Sequence, residues 1–234
     1  LAKAAIADIF ARGKHPVISG GTGLYVNSLI YEMDFSVTPQ TEENTNPRRE
    51  KLFALAEAQG KEFVHAVLRG YDPEAAERIH ANNLKKVVRA IEIYELTGQK
   101  PRAFSEALVP TKDYTCTLIG LTRDRAELYE RVNKRVDSLV HSGLFEELEK
   151  LRAMGLSEDD IAMKGIGYKE IIGCMKGLYD KEEAIGLIKK NTRHLAKRQW
   201  TWFRRYEGIE WFNISEYPSD AACMGEILEW IRRR

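Results

Sequence analysis

The spacing of apolar residues predicts helices that alternate with short strands at the start of the chain. Apolar positions recur at helical spacing from Leu1 to Arg12, and Gly13 ends that pattern. A short apolar run at Pro16–Ser19 then precedes a second helical pattern that begins at Leu24. Further strands are predicted at Tyr114–Leu121 and Ile209–Phe212, each followed by a helical pattern. This alternation predicts an α/β fold with a parallel sheet.

The middle of the chain carries helical patterns only. A polar, irregular stretch at residues 34–47 comes first. Helices are then predicted at Arg48–Ala58, Lys61–Arg69, Asp72–Ile79 and Leu84–Leu96. We therefore predict an α/β core formed by residues 1–33 and 111–234, with a helical insertion at residues 34–110. The other helices of the core are predicted at Asp124–Val140, Leu144–Leu151, Tyr168–Met175, Lys181–Tyr206 and from Ser219 onwards.

The turn between the first strand and its helix is rich in glycine. Gly20, Gly21, Thr22 and Gly23 separate the two elements. Such a turn can present backbone N–H groups to an anion at a helix N-terminus. No lysine follows the last glycine, so the G-x-x-x-x-G-K-[ST] phosphate loop is absent here. The spacing alone favours an ordinary turn whose glycines adopt positive φ.

The composition restricts the class of protein. Of the 234 residues, 44% are hydrophobic and 30% are charged, as in soluble globular proteins, and no run predicts a membrane span or a signal peptide. Cys116, Cys174 and Cys223 form no C-x-x-C pair, so we predict no metal ligands and a reducing, cytoplasmic location. A helical pattern is already present at Leu1, which leads us to expect a native N-terminus further upstream.

Positive charge is concentrated near the C-terminal end. No acidic residue occurs between Glu183 and Glu207, whereas basic and aromatic residues alternate there. The basic ones are Lys189, Lys190, Arg193, Lys197, Arg198, Arg204 and Arg205, and the aromatic ones are Trp200, Trp202, Phe203 and Tyr206. Such a tract is typical of nucleic-acid surfaces. We interpret the unpaired charges as functional and expect the aromatic rings to pack inward.

Like charges one helical turn apart provide a second signal for an anionic ligand. The pairs are Lys85 with Arg89, Arg131 with Arg135, and Arg193 with Lys197. Each pair destabilises its helix by roughly 0.2–0.5 kcal/mol. Acidic neighbours or a bound anion must offset this cost, and three pairs favour a polyanion or diphosphate site.

A second glycine-rich turn, Met163–Glu170, leads into a helix. Its two glycines lie between Lys164 and Lys169 and are compatible either with a sugar-phosphate contact or with a loop that needs positive φ twice. The five histidines are scattered, and no nucleophile–base motif or carboxylate pair is visible. These features indicate transfer at a phosphorylated compound, driven by positioning and charge.

Five sequence blocks resemble one family. They are ISGGTGLY, RIHANNLKKVVRAIEIYELTG, LYERVNKRVDSLVHSGLFEELEKL, MKGIGYKE and NTRHLAKRQWTWFRR. In this order they resemble the bacterial tRNA dimethylallyltransferase (tRNA isopentenyltransferase) family over practically the whole chain. The resemblance implies a P-loop-NTPase-like core with an all-helical insertion. It also implies transfer of a dimethylallyl group from dimethylallyl diphosphate to N6 of the adenosine beside the tRNA anticodon, after the base is flipped out. Mg²⁺ and basic side chains would stabilise the leaving diphosphate.

The resemblance also implies site residues. Thr22 and Arg135 match catalytic positions, and Thr22 also matches a tRNA contact. Arg49 matches a tRNA contact in a divergent stretch, where Arg48 is the alternative. Further tRNA-binding positions match Lys85, Lys86, Val87, Val88 and Arg89, and Lys164, Gly165, Ile166, Gly167, Tyr168 and Lys169. Positions on the diphosphate side of the family's reaction channel match Arg131, Arg135, Lys197 and Arg198. The last two belong to a lysine-arginine-glutamine block that continues with Gln199.

The chain departs from the family at its beginning. The family's GxTxxGKT phosphate loop and its catalytic aspartate do not occur in the 234 residues and would lie before Leu1. We therefore expect this chain alone to be inactive or nearly so, poorly stable, monomeric and still able to bind a tRNA anticodon stem-loop. The alternatives are an adenylate isopentenyltransferase or P-loop kinase that acts on a small nucleotide, and a non-catalytic RNA-binding module.

Overall fold

A computed structural model describes residues 1–33, 47–100 and 109–234. The predicted irregular segment therefore lies outside the described residues, apart from Pro47. The described chain divides into two compact units. The first unit comprises Leu1–Ile18 and Leu24–Thr115, and the second comprises Ser19–Gly23 and Cys116–Arg234. The predicted insertion falls within the first unit, and its boundaries stay a prediction.

The first unit is helical. Its helices are α1 (Ala2–Ala11), α2 (Gly23–Ile30, whose first residue belongs to the second unit), α3 (Pro47–Gln59), α4 (Lys61–Tyr71), α5 (Pro73–Arg78) and α6 (Leu84–Thr97). The four helices predicted for the insertion are thus confirmed. Apolar residues on facing turns of α3–α6 form one core that includes Leu52, Val64, Leu68, Val87 and Ile91. Asp72 caps α5 by accepting a hydrogen bond from the Ala75 N–H.

The second unit contains a parallel pair of strands, β1 (Leu118–Thr122) and β2 (Ile209–Asn213), in which Leu118 pairs with Ile209. Its helices are α7 (Arg125–His141), α8 (Leu144–Ala153), α9 (Tyr168–Met175), α10 (Lys181–Phe203) and α11 (Asp220–Arg232). The helices between the strands make the long crossover that a parallel pair requires. The helices α7, α8, α9 and α10 share one hydrophobic core, which includes Val136, Leu148, Ile171 and Ile188. Another, with Phe212 and Ile227, packs α11 on the sheet.

The predicted strand at Pro16–Ser19 is wrong. Within residues 1–33, residues 14–22 form neither helix nor strand, and Val17 is 91% exposed. An apolar run becomes a strand only when a neighbouring strand satisfies its backbone groups, and in the described part of the chain the sheet consists of β1 and β2. The first of these also begins later than predicted, at Leu118 rather than Tyr114.

Candidate functional site

Two arginines from separate helices meet at one buried carboxylate in the first unit. Arg49 of α3 donates from Nη2 to Oε2 of Glu92 at 2.7 Å. Arg89 of α6 donates from Nη1 to the same oxygen at 2.6 Å. The Glu92 side chain is only 3% exposed, whereas those of Arg49 and Arg89 are 42% and 36% exposed. The folded chain therefore concentrates positive charge around one shared anchor, and we call these three residues the Glu92 cluster.

A cavity of about 310 Å³ lies beside this cluster. It is lined by Arg49, Phe53, Lys85, Val88 and Arg89. Lys85 and Arg89 are the like-charge pair noted in the sequence, and the Glu92 carboxylate offsets part of their repulsion. Three cationic side chains and an aromatic ring around one cavity suit an anionic ligand that also carries a flat, apolar ring.

Arg48 pairs with a different carboxylate, that of Glu95. It donates two hydrogen bonds to the Glu95 carboxylate, at 2.8 and 2.6 Å, and the Tyr71 hydroxyl donates a third at 3.1 Å. The Arg48 hydrogen bonds lower the pKa of Glu95 from its ordinary value. Because Arg49, and not Arg48, lines the cavity together with Arg89, the geometry favours Arg49 of the two alternatives.

The predicted segment Lys85–Arg89 presents only part of itself to solvent. Lys85 and Lys86 are exposed and Arg89 is half-buried. Val87 and Val88 are 0% and 1% exposed and belong to the helical core. Val87 can therefore serve a ligand only by fixing the helix, and Val88 contributes a nearly buried apolar surface to the cavity, while the charged residues are the ones most available for contact.

In the second unit, the turn that carries Thr22 is packed against α10. A Cβ atom on Gly21 would lie 2.3 Å from Nε2 of Gln199, and one on Gly23 would lie 2.1 Å from Nε1 of Trp202. The expectation that these glycines adopt positive φ is therefore wrong, because none of those at positions 20, 21 and 23 does so. Gly21 and Gly23 are needed instead because the turn packs too closely against α10 to leave room for a Cβ atom. Thr22 itself is exposed.

A hydrogen-bonded chain fixes the end of this turn. Nε1 of Trp202 donates to the Tyr206 hydroxyl at 3.1 Å, and that hydroxyl donates to the Gly23 carbonyl oxygen at 3.3 Å. Tyr206 is 7% exposed and Trp202 is half-buried, as expected for aromatic side chains that pack inward. Trp200 differs, because it is 39% exposed and lies edge-on to Trp211 with ring centroids 4.6 Å apart.

The second glycine turn is held by another buried carboxylate. A short 3₁₀ helix at Ile161–Lys164 leads to Gly167, which has φ +106° and precedes α9. Glu170, 3% exposed, accepts a hydrogen bond from the Gly167 N–H at 2.7 Å and another from Nδ2 of Asn191 at 2.7 Å. The alternative of a loop that needs positive φ at both glycines holds for Gly167 only, because Gly165 has φ −65°.

The residues of this loop differ in exposure. Lys164, Gly165 and Lys169 are exposed, Ile166 and Tyr168 are half-buried, and Gly167 is buried. The Tyr168 hydroxyl donates to Glu147 at 2.7 Å. Exposed lysines at both ends of a fixed turn are compatible with a phosphate contact, which the family resemblance implies and which stays a prediction.

The cationic residues of α7 and α10 are brought together only in part. Arg193 donates to Asn133 at 2.6 Å, and Lys189 pairs with Asp137 at 2.6 Å. The expectation of an unpaired basic tract is therefore wrong for Lys189. At 100° per residue, the two exposed arginines at 131 and 135 lie on the opposite side of α7 from these contacts. Lys197 and Arg198 of α10 are exposed as well.

Sequence reasoning missed the two glutamates that organise these sites. Glu92 stands three residues after Arg89, which is contact spacing on a helix. Glu170 stands three residues after Gly167, the spacing at which a first-turn carboxylate reaches back to the helix cap. Both spacings are local features of the sequence and are sufficient to predict the Arg89–Glu92 and Gly167–Glu170 contacts.

The described residues contain no cluster of metal-ligating side chains. In residues 1–33, 47–100 and 109–234, no group of three or more His, Cys, Asp or Glu side chains is arranged to hold an ion. The residues described here therefore offer no fitted Mg²⁺ site, and we assign none of them to the ion. Across the same residues, no helix combines the length and the apolarity needed to span a bilayer.

Parallel strands joined by helices, a separate helical layer and clustered basic side chains define an α/β protein with candidate anion-binding surfaces. The family described as IPP transferase matches residues 1–206. The chain is 50% identical over 219 residues to the tRNA dimethylallyltransferase of Alkaliphilus oremlandii, which covers 94% of this chain and 69% of that protein. It is 45% identical to the enzyme of that name from Clostridioides difficile, with coverages of 99% and 73%. The chain belongs to the IPP transferase family.

Solved structures agree with this assignment. The full-length tRNA isopentenylpyrophosphate transferase of Bacillus halodurans superimposes with a TM-score of 0.64 at 38% identity, covering 99% of this chain and 70% of that one. The tRNA isopentenylpyrophosphate transferase of Staphylococcus epidermidis gives 0.63 at 36% identity, with coverages of 100% and 74%. The likeness confirms the expected fold class, a P-loop-NTPase-like parallel core with a large helical part.

Proposed function

We propose that the chain serves the transfer of a dimethylallyl group from dimethylallyl diphosphate to N6 of the adenosine adjacent to the tRNA anticodon. The observation that carries this proposal is the cavity of the Glu92 cluster. Three of the residues matched to tRNA contacts, Arg49, Lys85 and Arg89, come from two helices and line that one cavity. Relatives bearing the tRNA dimethylallyltransferase name support the reaction.

The RNA would be bound mainly through its phosphates. Arg49, Lys85, Lys86 and Arg89 supply guanidinium and ammonium groups on one helical unit, and phosphate recognition by such groups is strong and salt-dependent. Phe53 gives the cavity an aromatic surface on which a base can stack. The boundaries of this unit as an insertion at residues 34–110 are part of the proposal.

In the second unit we assign roles by exposure and charge. Thr22 stands exposed on a turn fixed by Gln199 and Trp202 and would contact the target adenosine. The loop Lys164–Lys169 would contact the RNA backbone through its exposed lysines. Arg135, with Arg131, would stabilise negative charge on the diphosphate from α7. Lys197 and Arg198 are the other exposed cations assigned to the diphosphate, and they would act from α10, because the α7 arginines lie away from the contacts between the two helices.

The chemistry of the reaction defines what the cationic side chains have to do. The adenosine N6 nitrogen attacks the allylic carbon, the carbon–oxygen bond to the diphosphate breaks, and N6 loses a proton. Positive side chains assist by stabilising the charge that builds on the leaving diphosphate. Mg²⁺ would add Lewis-acid stabilisation of that diphosphate when bound. The monomeric state, the cytoplasmic location and the inactivity of the isolated 234-residue chain stay predictions.

Binding and transfer assays test this proposal together. The chain is titrated into a labelled tRNA anticodon stem-loop at several salt concentrations, with AMP as competitor. We expect salt-dependent binding that AMP does not reverse. The same mixture with dimethylallyl diphosphate and Mg²⁺ is then analysed by mass spectrometry for N6-dimethylallyladenosine, with a full-length relative as the positive control. Little or no product is expected from the 234-residue chain alone. Binding to AMP with equal affinity, or an RNA product other than the N6 adduct, would contradict the assignment.

A further inference from the structure

We propose that Glu92 is a positioning residue, which holds Arg49 and Arg89 in the arrangement that receives RNA phosphates. The inference rests on the proposed function, because it assigns the cavity of the Glu92 cluster to RNA. Glu92 does not itself line the cavity, and its carboxylate is negatively charged like the RNA phosphates, so it would act through the two arginines and not by direct contact.

The geometry gives Glu92 this role. Both guanidinium groups donate to the single oxygen Oε2, at 2.7 and 2.6 Å. A carboxylate that is 3% exposed needs such partners, because an unpaired buried charge is strongly unfavourable. The arginines are thereby fixed to each other across 40 residues of sequence, although their side chains remain 42% and 36% exposed. The remaining exposed surface is what a ligand can reach.

Fixing these side chains before binding favours the ligand. An arginine side chain loses rotamer freedom when it binds a phosphate, at a cost of roughly 0.5–1.5 kcal/mol. Where the protein has already restricted the side chain, less of that cost falls on the binding step. Two guanidinium groups at one oxygen also repel each other, and the carboxylate offsets this repulsion.

Glu95 is a natural control on the same helix. It lies three residues after Glu92, its side chain is 23% exposed, and it pairs with Arg48 rather than with an arginine of the cavity. Replacement of either glutamate by glutamine removes one negative charge from the same helix. Long-range electrostatics alone therefore predicts tighter RNA binding for both variants, whereas positioning predicts weaker binding for Glu92→Gln and no weakening for Glu95→Gln.

The test compares Glu92→Gln and Glu95→Gln by fluorescence anisotropy with a tRNA anticodon stem-loop, at several salt concentrations. We expect Glu92→Gln to weaken binding about fivefold. We also expect the slope of log affinity against log salt to become shallower by about one phosphate contact, roughly 0.7–0.9. Glu95→Gln should bind as tightly as the wild type or slightly tighter. Thermal unfolding and stoichiometric titration report whether each variant is folded and what fraction of it binds.

Glu92→Asp provides a second variant with an unchanged charge. Its shorter side chain cannot reach both arginines as Glu92 does, so we expect weakened binding here too. Affinity and salt slope equal to the wild type in Glu92→Asp, or tighter binding by Glu92→Gln, would overturn the positioning role. A wild-type chain that does not bind the stem-loop would instead overturn the proposed function and this inference with it.

Discussion

Glu92 and Glu170 are both 3% exposed, yet they hold different kinds of partner. Glu92 holds two arginine side chains that remain partly in solvent. Glu170 accepts hydrogen bonds from a backbone N–H of a glycine turn and from the amide of Asn191, and the exposed Lys169 ammonium lies 3.5 Å from its Oε1. Glu92 therefore joins two charged side chains from separate helices, whereas Glu170 is hydrogen-bonded to groups that fix the shape of a loop. The same buried residue type therefore holds cationic side chains in one unit and a glycine turn in the other.

The largest effect expected from this difference is on stability. Glu170→Ala leaves the buried Gly167 N–H and the half-buried Asn191 amide without their carboxylate, so the free energy of unfolding should fall by about 3 kcal/mol. Glu92→Ala should cost only about 1 kcal/mol, because its arginines can return to water. Denaturant unfolding measures both values. Equal losses of unfolding free energy in the two variants would contradict the proposed difference between Glu92 and Glu170.

The glycine that Glu170 holds gives a smaller effect. Gly167 has φ +106°, so Gly167→Ala should destabilise the chain by about 1–2 kcal/mol. Gly165→Ala is the matched control, because Gly165 has φ −65° and a Cβ there would meet only the Ala162 carbonyl oxygen at 3.4 Å. Thermal unfolding of the two variants distinguishes them. An equal shift would show that the positive φ of Gly167 is not what the loop requires.

The smallest expected effect concerns the pH dependence of the Arg48–Glu95 pair. Hydrogen bonds from Arg48 lower the pKa of Glu95 below its ordinary value of 4.5. A carboxylate with a lowered folded-state pKa stabilises the fold above that ordinary value and loses the contribution as pH falls through the folded-state pKa. The pair is partly exposed, so Glu95→Gln should cost about 0.5 kcal/mol at pH 7. Unfolding experiments from pH 7 to successively lower pH should show this difference shrink, and a difference that stays constant or grows as the pH falls would contradict it.

Local periodicity explains why most helices were predicted from the sequence. The pattern from Leu84 to Leu96 specified α6, and the one from Arg48 to Ala58 specified α3. The apolar run at Pro16–Ser19 predicts a strand that does not form. Strand formation depends on hydrogen bonds to a neighbouring strand, and the local sequence does not show whether such a strand is present.

Distant contacts explain what the sequence could not provide at the candidate site. The glycines at 21 and 23 are required by Gln199 and Trp202, which lie almost at the other end of the chain. Glu92 was visible as the helical neighbour of Arg89, but its contact with Arg49 joins positions 43 residues apart. Motifs and resemblance found the cationic residues, whereas the burial of Glu92 and its contact with two of them follow only from the fold.

The salt dependence of stem-loop binding by Arg89→Ala and Arg48→Ala tests the central claim most directly. Arg89 lines the cavity and Arg48 does not, although both pair with a glutamate of α6. We predict that Arg89→Ala weakens binding about tenfold and makes the slope of log affinity against log salt shallower by about 0.7–0.9. Arg48→Ala should leave that slope unchanged. The same loss of affinity and slope in both variants would show that general positive charge, and not the cavity of the Glu92 cluster, binds the RNA.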